Sequence, residues 1–153
     1  AYVNGFLAAA GVGNVVTNQA CVAGAVGGCQ AEVGTAAAMA SACAVAMMGG
    51  TTEEVVTAMT LCMKNVLGLV CDPVAGLVEV PCVKRNGIYA VHALASAEMA
   101  MAGLRSRIPA DEVIGAMDSI GRALPEALRE TSEGGLAKTK TGVDITNRLA
   151  HQK

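Results

Sequence analysis

The chain has 153 residues, 53% of them hydrophobic and 16% charged, with a formal net charge of −2 and a mean hydropathy of +0.47. That length suits one domain with a real core, and the apolar composition excludes intrinsic disorder. Eleven scattered basic residues, two Tyr, one Phe and no Trp supply neither a phosphate-binding footprint nor stacking platforms, which excludes a nucleic-acid partner.

Glycine numbers 18 and alanine is more abundant still. Side chains this small let helices approach closely, and strict two-residue alternation is hard to find. The expected fold class is therefore all-α, an Ala/Gly/Met-rich helical bundle with a buried apolar central helix.

In chain order, residues 3–23 are apolar with Asn, Thr and Gln interruptions and read as one or two helices, broken by the Gly-Ala-Val-Gly-Gly run at 24–28. Residues 29–48 predict a wholly apolar helix closed by Gly49 and Gly50, which adopt left-handed backbone readily. Thr51 or Thr52 caps the next helix, with Glu53 and Glu54 in its first turn, and Gly68 stops it after about Leu67. Cys71-Asp72-Pro73 reads as an Asp cap with Pro at the first position of a short helix. Glu79-Val80-Pro81-Cys82 repeats the device and opens a helix reaching about Leu104. Pro109 to Glu112 start another, with Val113, Met117, Ile120 and Leu124 at helical spacing, and Pro125 begins a last short helix ended by Gly134-Gly135. The expected organisation is one helical domain over residues 1–137 and a polar tail over 138–153, read as a loop or loosely held segment.

Residues 1–31 carry no charge, Glu32 is the first, and 33–52 are uncharged again, so a membrane span is the rival reading. Asn4, Asn14, Asn18 and Gln19 interrupt the first stretch, and the second is short and dominated by Ala. Helices that are apolar all round because they run through a protein interior fit better, so no membrane partner is expected. With no basic segment before the first apolar residues, the protein reads as cytoplasmic. The chain opens inside a helical apolar pattern with no initiating Met, as expected of a fragment or a processed half of something longer.

Six cysteines stand at 21, 29, 43, 62, 71 and 82. In a cytoplasmic chain they stay reduced, which leaves buried small hydrophobes or ligands. Cys43 and Cys62 lie within continuous helical patterns and read as core filler, as does Cys21. Cys29, Cys71 and Cys82 each fall at or just before a predicted helix start, where unpaired N–H groups and the positive end of the dipole lower a thiol's pKa and favour anionic sulfur ligands. Their separations match neither paired zinc-site cysteines nor ferredoxin runs, so the residues alone leave a shared metal site and three merely buried thiols both open.

The strings Gly28-Cys29-Gln30-Ala31-Glu32-Val33-Gly34, Gly68-Leu69-Val70-Cys71-Asp72-Pro73-Val74-Ala75-Gly76 and Val80-Pro81-Cys82-Val83-Lys84-Arg85-Asn86 closely resemble the iron-sulfur L-serine dehydratases (L-serine deaminases). The resemblance is to their alpha chain or C-terminal catalytic half; Arg129-Glu130-Thr131 and Gly134-Gly135-Leu136-Ala137 share it, so it spans nearly the whole chain. It implies a lyase that turns L-serine into pyruvate and ammonia. Cys29, Cys71 and Cys82 would hold three irons of a 4Fe-4S cluster whose fourth iron, free of protein thiolate, is the Lewis acid. It implies no need for pyridoxal phosphate, and a cluster lost on handling in air.

A base must also remove the Cα proton. Lys84 is the catalytic candidate, with Glu79 a second, and Arg85 and Asn86 are the candidate substrate-binding residues. Asp72 is expected to be chiefly a helix cap, His92 an ordinary helical residue, and His151 part of the tail. Some single-chain relatives end in a cysteine near the cluster. No cysteine follows Cys82 here, so a tail thiolate is not carried over. In the family another lobe, rich in Ser and His, completes the substrate pocket. The expected partners are therefore L-serine and a second lobe or beta chain of the same enzyme, in a homo- or hetero-oligomer, and this chain alone should be nearly inactive. The reading from another class is a non-catalytic helical subunit or membrane-associated packing module with buried cysteines.

Overall fold

A helix with a single charged residue becomes the centre of the protein in a computed structural model that describes residues 1–152. Helix α3 (Cys29–Met47) is surrounded by α1 (Tyr2–Gln19), α4 (Thr52–Lys64) and α5 (Cys82–Met101). Its buried positions include Ala31, Gly34, Ala37, Ala38, Ser41, Ala42 and Val45, and side chains this small let three neighbours close on it. Helix α6 (Ala110–Ala123) packs across α4 and buries Val113, Ile114 and Met117. The main core joins these to Val12 and Val16 of α1 and to Met59, Cys62 and Met63 of α4, while Val45, Ala58, Ala97 and Ala100 form a smaller cluster. The fold is all-α with α3 as its buried central helix, and among the described residues there is no strand. Among the described residues no helix is long and apolar enough to cross a membrane.

Local chemistry sets several helix ends as expected. The Thr51 side chain accepts from the Glu54 N–H, and the Glu54 carboxylate accepts from the Thr51 N–H at 2.7 Å, a complete capping box for α4. Elsewhere tertiary structure overrides the local reading. Residues 24–27 form a one-turn helix, α2 (Gly24–Gly27), instead of only a break. Turns over 65–68 and at Ala102 and Gly103 close α4 and α5 short of Leu67 and Leu104. Pro73, not Asp72, precedes the short 3-10 turn Val74–Gly76. The segment after Pro125 is a 3-10 turn at Glu126–Leu128, and Gly135 opens a further turn, Gly135–Lys138, where the sequence suggested a helix end.

The expected loose tail is also corrected. Helix α7 (Lys140–Ala150) is capped by the Thr139 hydroxyl, which accepts from the Gly142 N–H at 3.1 Å. It packs on the turns Val74–Gly76 and Gly135–Lys138, contacts that no local period announces. Lys153, the last residue of that expected tail, lies outside the described residues.

One buried polar side chain locks the start of α3. Gln30 is 0% exposed. Its amide nitrogen donates to the Met117 carbonyl at 2.8 Å and its oxygen accepts from the Gly68 N–H at 2.9 Å. Its backbone N–H donates to the Leu69 carbonyl, also at 2.9 Å. These bonds tie α3 to α6 and to the segment that follows α4. Gly28, at φ +74°, permits the close passage, since a Cβ there would come within 2.9 Å of the Leu69 oxygen. Gln30→Met, of similar volume, would leave the buried Gly68 N–H unpaired and take the side-chain donor from the Met117 carbonyl; a loss of about 1–3 kcal/mol is expected in urea unfolding.

Candidate functional site

The helices α3 and α5 each begin on a cysteine. On a helix, positions i, i+3 and i+4 share a face. Cys29, Glu32 and Val33 of α3 and Cys82, Arg85 and Asn86 of α5 are two such triplets, and both line one pocket of about 50 Å³. Cys71, Pro73, Val78 and Glu130 complete the lining. The three cysteines singled out in the sequence, far apart along the chain, thus face the same space.

Cys71 arrives there differently from its expected place at a helix start. It lies in extended chain, its N–H donating to the Leu128 carbonyl at 2.9 Å and its carbonyl accepting from the Glu130 N–H at 2.8 Å. This is an isolated parallel bridge to Arg129. Three non-glycine residues with left-handed backbone, Ala75 (φ 57°), Glu130 (φ 69°) and Ser132 (φ 59°), cluster in the two segments so joined. The Ser132 hydroxyl fixes that geometry, donating to the Pro73 carbonyl at 2.6 Å and accepting from the Gly76 N–H at 3.1 Å.

Electrostatics in the pocket run against the simple helix-end expectation. Burial first, then the charges of Cys29, Glu130 and Cys82, push the Cys71 thiol far above the ordinary range. Burial and Cys29 also push the Cys82 thiol up, outweighing both the Arg85 charge and a backbone hydrogen bond at the start of α5. Arg85 supplies the local positive charge. Burial works to lower its pKa, but the hydrogen bond to Cys29 and the charges of Cys29 and Asp72 prevail and raise it. Among the described residues no three His, Cys, Asp or Glu side chains converge tightly enough to hold a single metal ion.

Of the other candidates, Asn86 lines the pocket, whereas Lys84 and Glu79 are exposed and lie off its lining. Asp72 caps no helix; its carboxylate accepts from Arg85 and from the Leu136 N–H. The His92 ring is occupied elsewhere, its Nε2 lying 2.9 Å from the Cys62 carbonyl, and His151 follows α7. Glu32 and Glu130 are the pocket residues that sequence reasoning missed. A signal existed for the first: it is the lone charge of α3, three residues after a cysteine.

Residues 1–137 match the family model of the serine dehydratase alpha chain. The chain belongs to that family. It is 59% identical over 145 residues to a probable L-serine dehydratase alpha chain of Bacillus subtilis, covering 94% of this chain and 48% of the relative. To a probable L-serine dehydratase alpha chain of Latilactobacillus sakei it is 60% identical over 144 residues, or 94% of this chain and 69% of the relative. To the L-serine dehydratase alpha chain of Peptoniphilus asaccharolyticus it is 54% identical over 142 residues, or 93% and 49%. The chain thus spans about half the length of two of these three relatives.

The cysteines of this family member divide by environment. Cys62 lies in the core, away from the pocket, and burial pushes its thiol up to about 11 despite hydrogen bonds from Ser96 and Ser41 that act the other way. In the folded protein Cys62 should resist iodoacetamide at about pH 8 and react only as pH nears that higher value, whereas in urea it should react like a free thiol. Peptide mass mapping reads both.

Proposed function

We propose that this chain is the cluster-holding part of an L-serine dehydratase, which converts L-serine to pyruvate and ammonia in the cytoplasm without pyridoxal phosphate. The single observation that carries the reading is that Cys29, Cys71 and Cys82 line one pocket. The names of the relatives support the substrate and the reaction.

The donor set fits a 4Fe-4S cluster. Three thiols lining one pocket suit a polynuclear centre, in which each sulfur meets its own metal. A Cβ on Gly24 would lie 3.3 Å from the Cys71 sulfur, so the glycine keeps room beside it. When bound, the cluster supplies Lewis acidity that stabilises the negative charge developing as hydroxide leaves serine.

The chain's own residues do the rest. Cys29, Cys71 and Cys82 hold the centre. Glu32 and Glu130 line the pocket from different elements and are the bases this reading assigns to the Cα proton, beside Lys84, which is exposed and off that lining. Loss of water leaves an enamine that tautomerises and hydrolyses in water to pyruvate and ammonia. A second lobe or partner chain completes the substrate pocket. The exposed Val83, Ile88, Val91 and Leu94 of α5, starting beside Cys82, support a covering partner there.

Anaerobic reconstitution with iron and sulfide tests this. The expected product is a brown protein with about four irons per chain. Cys71→Ser should be colourless and Cys43→Ser brown, since Cys43 lies outside the pocket and its thiol donates to the Met47 sulfur. Iron uptake should weaken as pH falls, because the raised Cys71 and Cys82 thiols must shed protons to bind. A colourless wild-type protein would favour the non-catalytic helical subunit. The reconstituted chain alone should turn over serine slowly or not at all; full-rate turnover would remove the need for a second lobe.

A further inference from the structure

The Arg85 guanidinium meets a cysteine sulfur inside the pocket. Its side chain is 13% exposed. Nη1 donates to the Cys29 sulfur at 3.3 Å and to the Val70 carbonyl at 2.9 Å, and Nη2 donates to Asp72 Oδ1 at 3.2 Å. Both hydrogens of Nη1 are therefore committed within the protein, and Nη2 is turned toward Asp72. Asp72, itself 5% exposed, is anchored in turn: its Oδ2 accepts from the Leu136 N–H at 2.9 Å. Gly135, at φ +56°, makes room for that carboxylate, since a Cβ there would stand 2.7 Å from the Asp72 Cβ.

We propose that Arg85 is a positioning residue for Cys29, and that Asp72, seated against Gly135, fixes the guanidinium in that role. The inference rests on the reading of the pocket as a cluster site and adds a support behind one of its sulfurs. Burial narrows the side-chain direction of Cys29 without choosing it. A planar guanidinium tied at two other points sets it and brings positive charge to the sulfur. A donated N–H to a ligand sulfur also makes the centre easier to reduce.

The test uses the whole chain, reconstituted anaerobically, with Arg85→Gln, Arg85→Lys, Asp72→Asn and Gly135→Ala, and with Arg122→Gln as control because Arg122 pairs with Asp118 on α6. Iron per chain, reduction potential and the melting temperature of the metal-free protein are read for each. Arg85→Gln should retain iron about tenfold less well and shift the remaining centre to a more negative potential. Arg85→Lys should fall between it and wild type, since one ammonium cannot span Cys29 and Asp72 together. Asp72→Asn and Gly135→Ala should move in the Arg85→Gln direction, and Arg122→Gln should match wild type. The proposal is overturned if Arg85→Gln loads iron at an unchanged potential, or if only its melting temperature falls. Should Arg85→Gln fail to fold, Arg85→Lys and Asp72→Asn decide by the same readings. A wild-type chain that takes up no iron would instead overturn the cluster reading, and this inference with it.

Discussion

The buried amide of Gln30 is the constraint on which the pocket's geometry depends. Its side chain reaches α6 and the Gly68 turn while its backbone N–H meets Leu69, so the first turn of α3 and the strip leading to Cys71 cannot separate without exposing several hydrogen-bonding groups. Cys29 is the residue before Gln30, and Cys71 lies two after Leu69. The distance between two of the three thiols is thereby set by a side chain that touches neither sulfur. The third thiol comes from α5, which is packed against both α3 and α4.

A largely buried ion pair such as Arg85 with Asp72 is a weak source of stability, because desolvation takes back much of the Coulomb gain. Its value lies in direction. Around the same pocket, non-glycine residues hold left-handed backbone and thiols of raised pKa crowd one another. The left-handed residues cost free energy at any pH, and the raised thiols do so once the pH passes the ordinary thiol range. Together they mark the place where the fold gives up local comfort for a particular arrangement of side chains.

Much of this was legible in the sequence. The all-α class followed from composition, the start of α4 from Thr51 and Glu54, and the three pocket cysteines from their strings and positions. What escaped was tertiary. Asp72 followed by Pro73 is a fair cap by local chemistry, yet Arg85, thirteen residues on, claims its carboxylate. Lys84 and Arg85 are neighbours in sequence, but consecutive helical residues point about 100° apart, and only Arg85 falls on the face of Cys82. That distinction could have been read from the i, i+3 spacing. Helix α7 left a local signal too, in the Thr139 cap and in Ile145 and Leu149 at helical spacing, but the turns it rests on lie far upstream and just before it and no spacing points to them.

The route by which Cys71 reaches the pocket bears on the timing of biogenesis. Its bridge to Arg129 joins residues on either side of two whole helices, α5 and α6. An emerging polypeptide holding only Cys29 and Cys71 has no such seat for the second sulfur, which must wait until α5, α6 and the following turn are in place. Under the proposed cluster reading, loading would follow folding: the scaffold would prepare the binding site, the reverse of small metal-nucleated domains in which the ion gathers an otherwise shapeless chain.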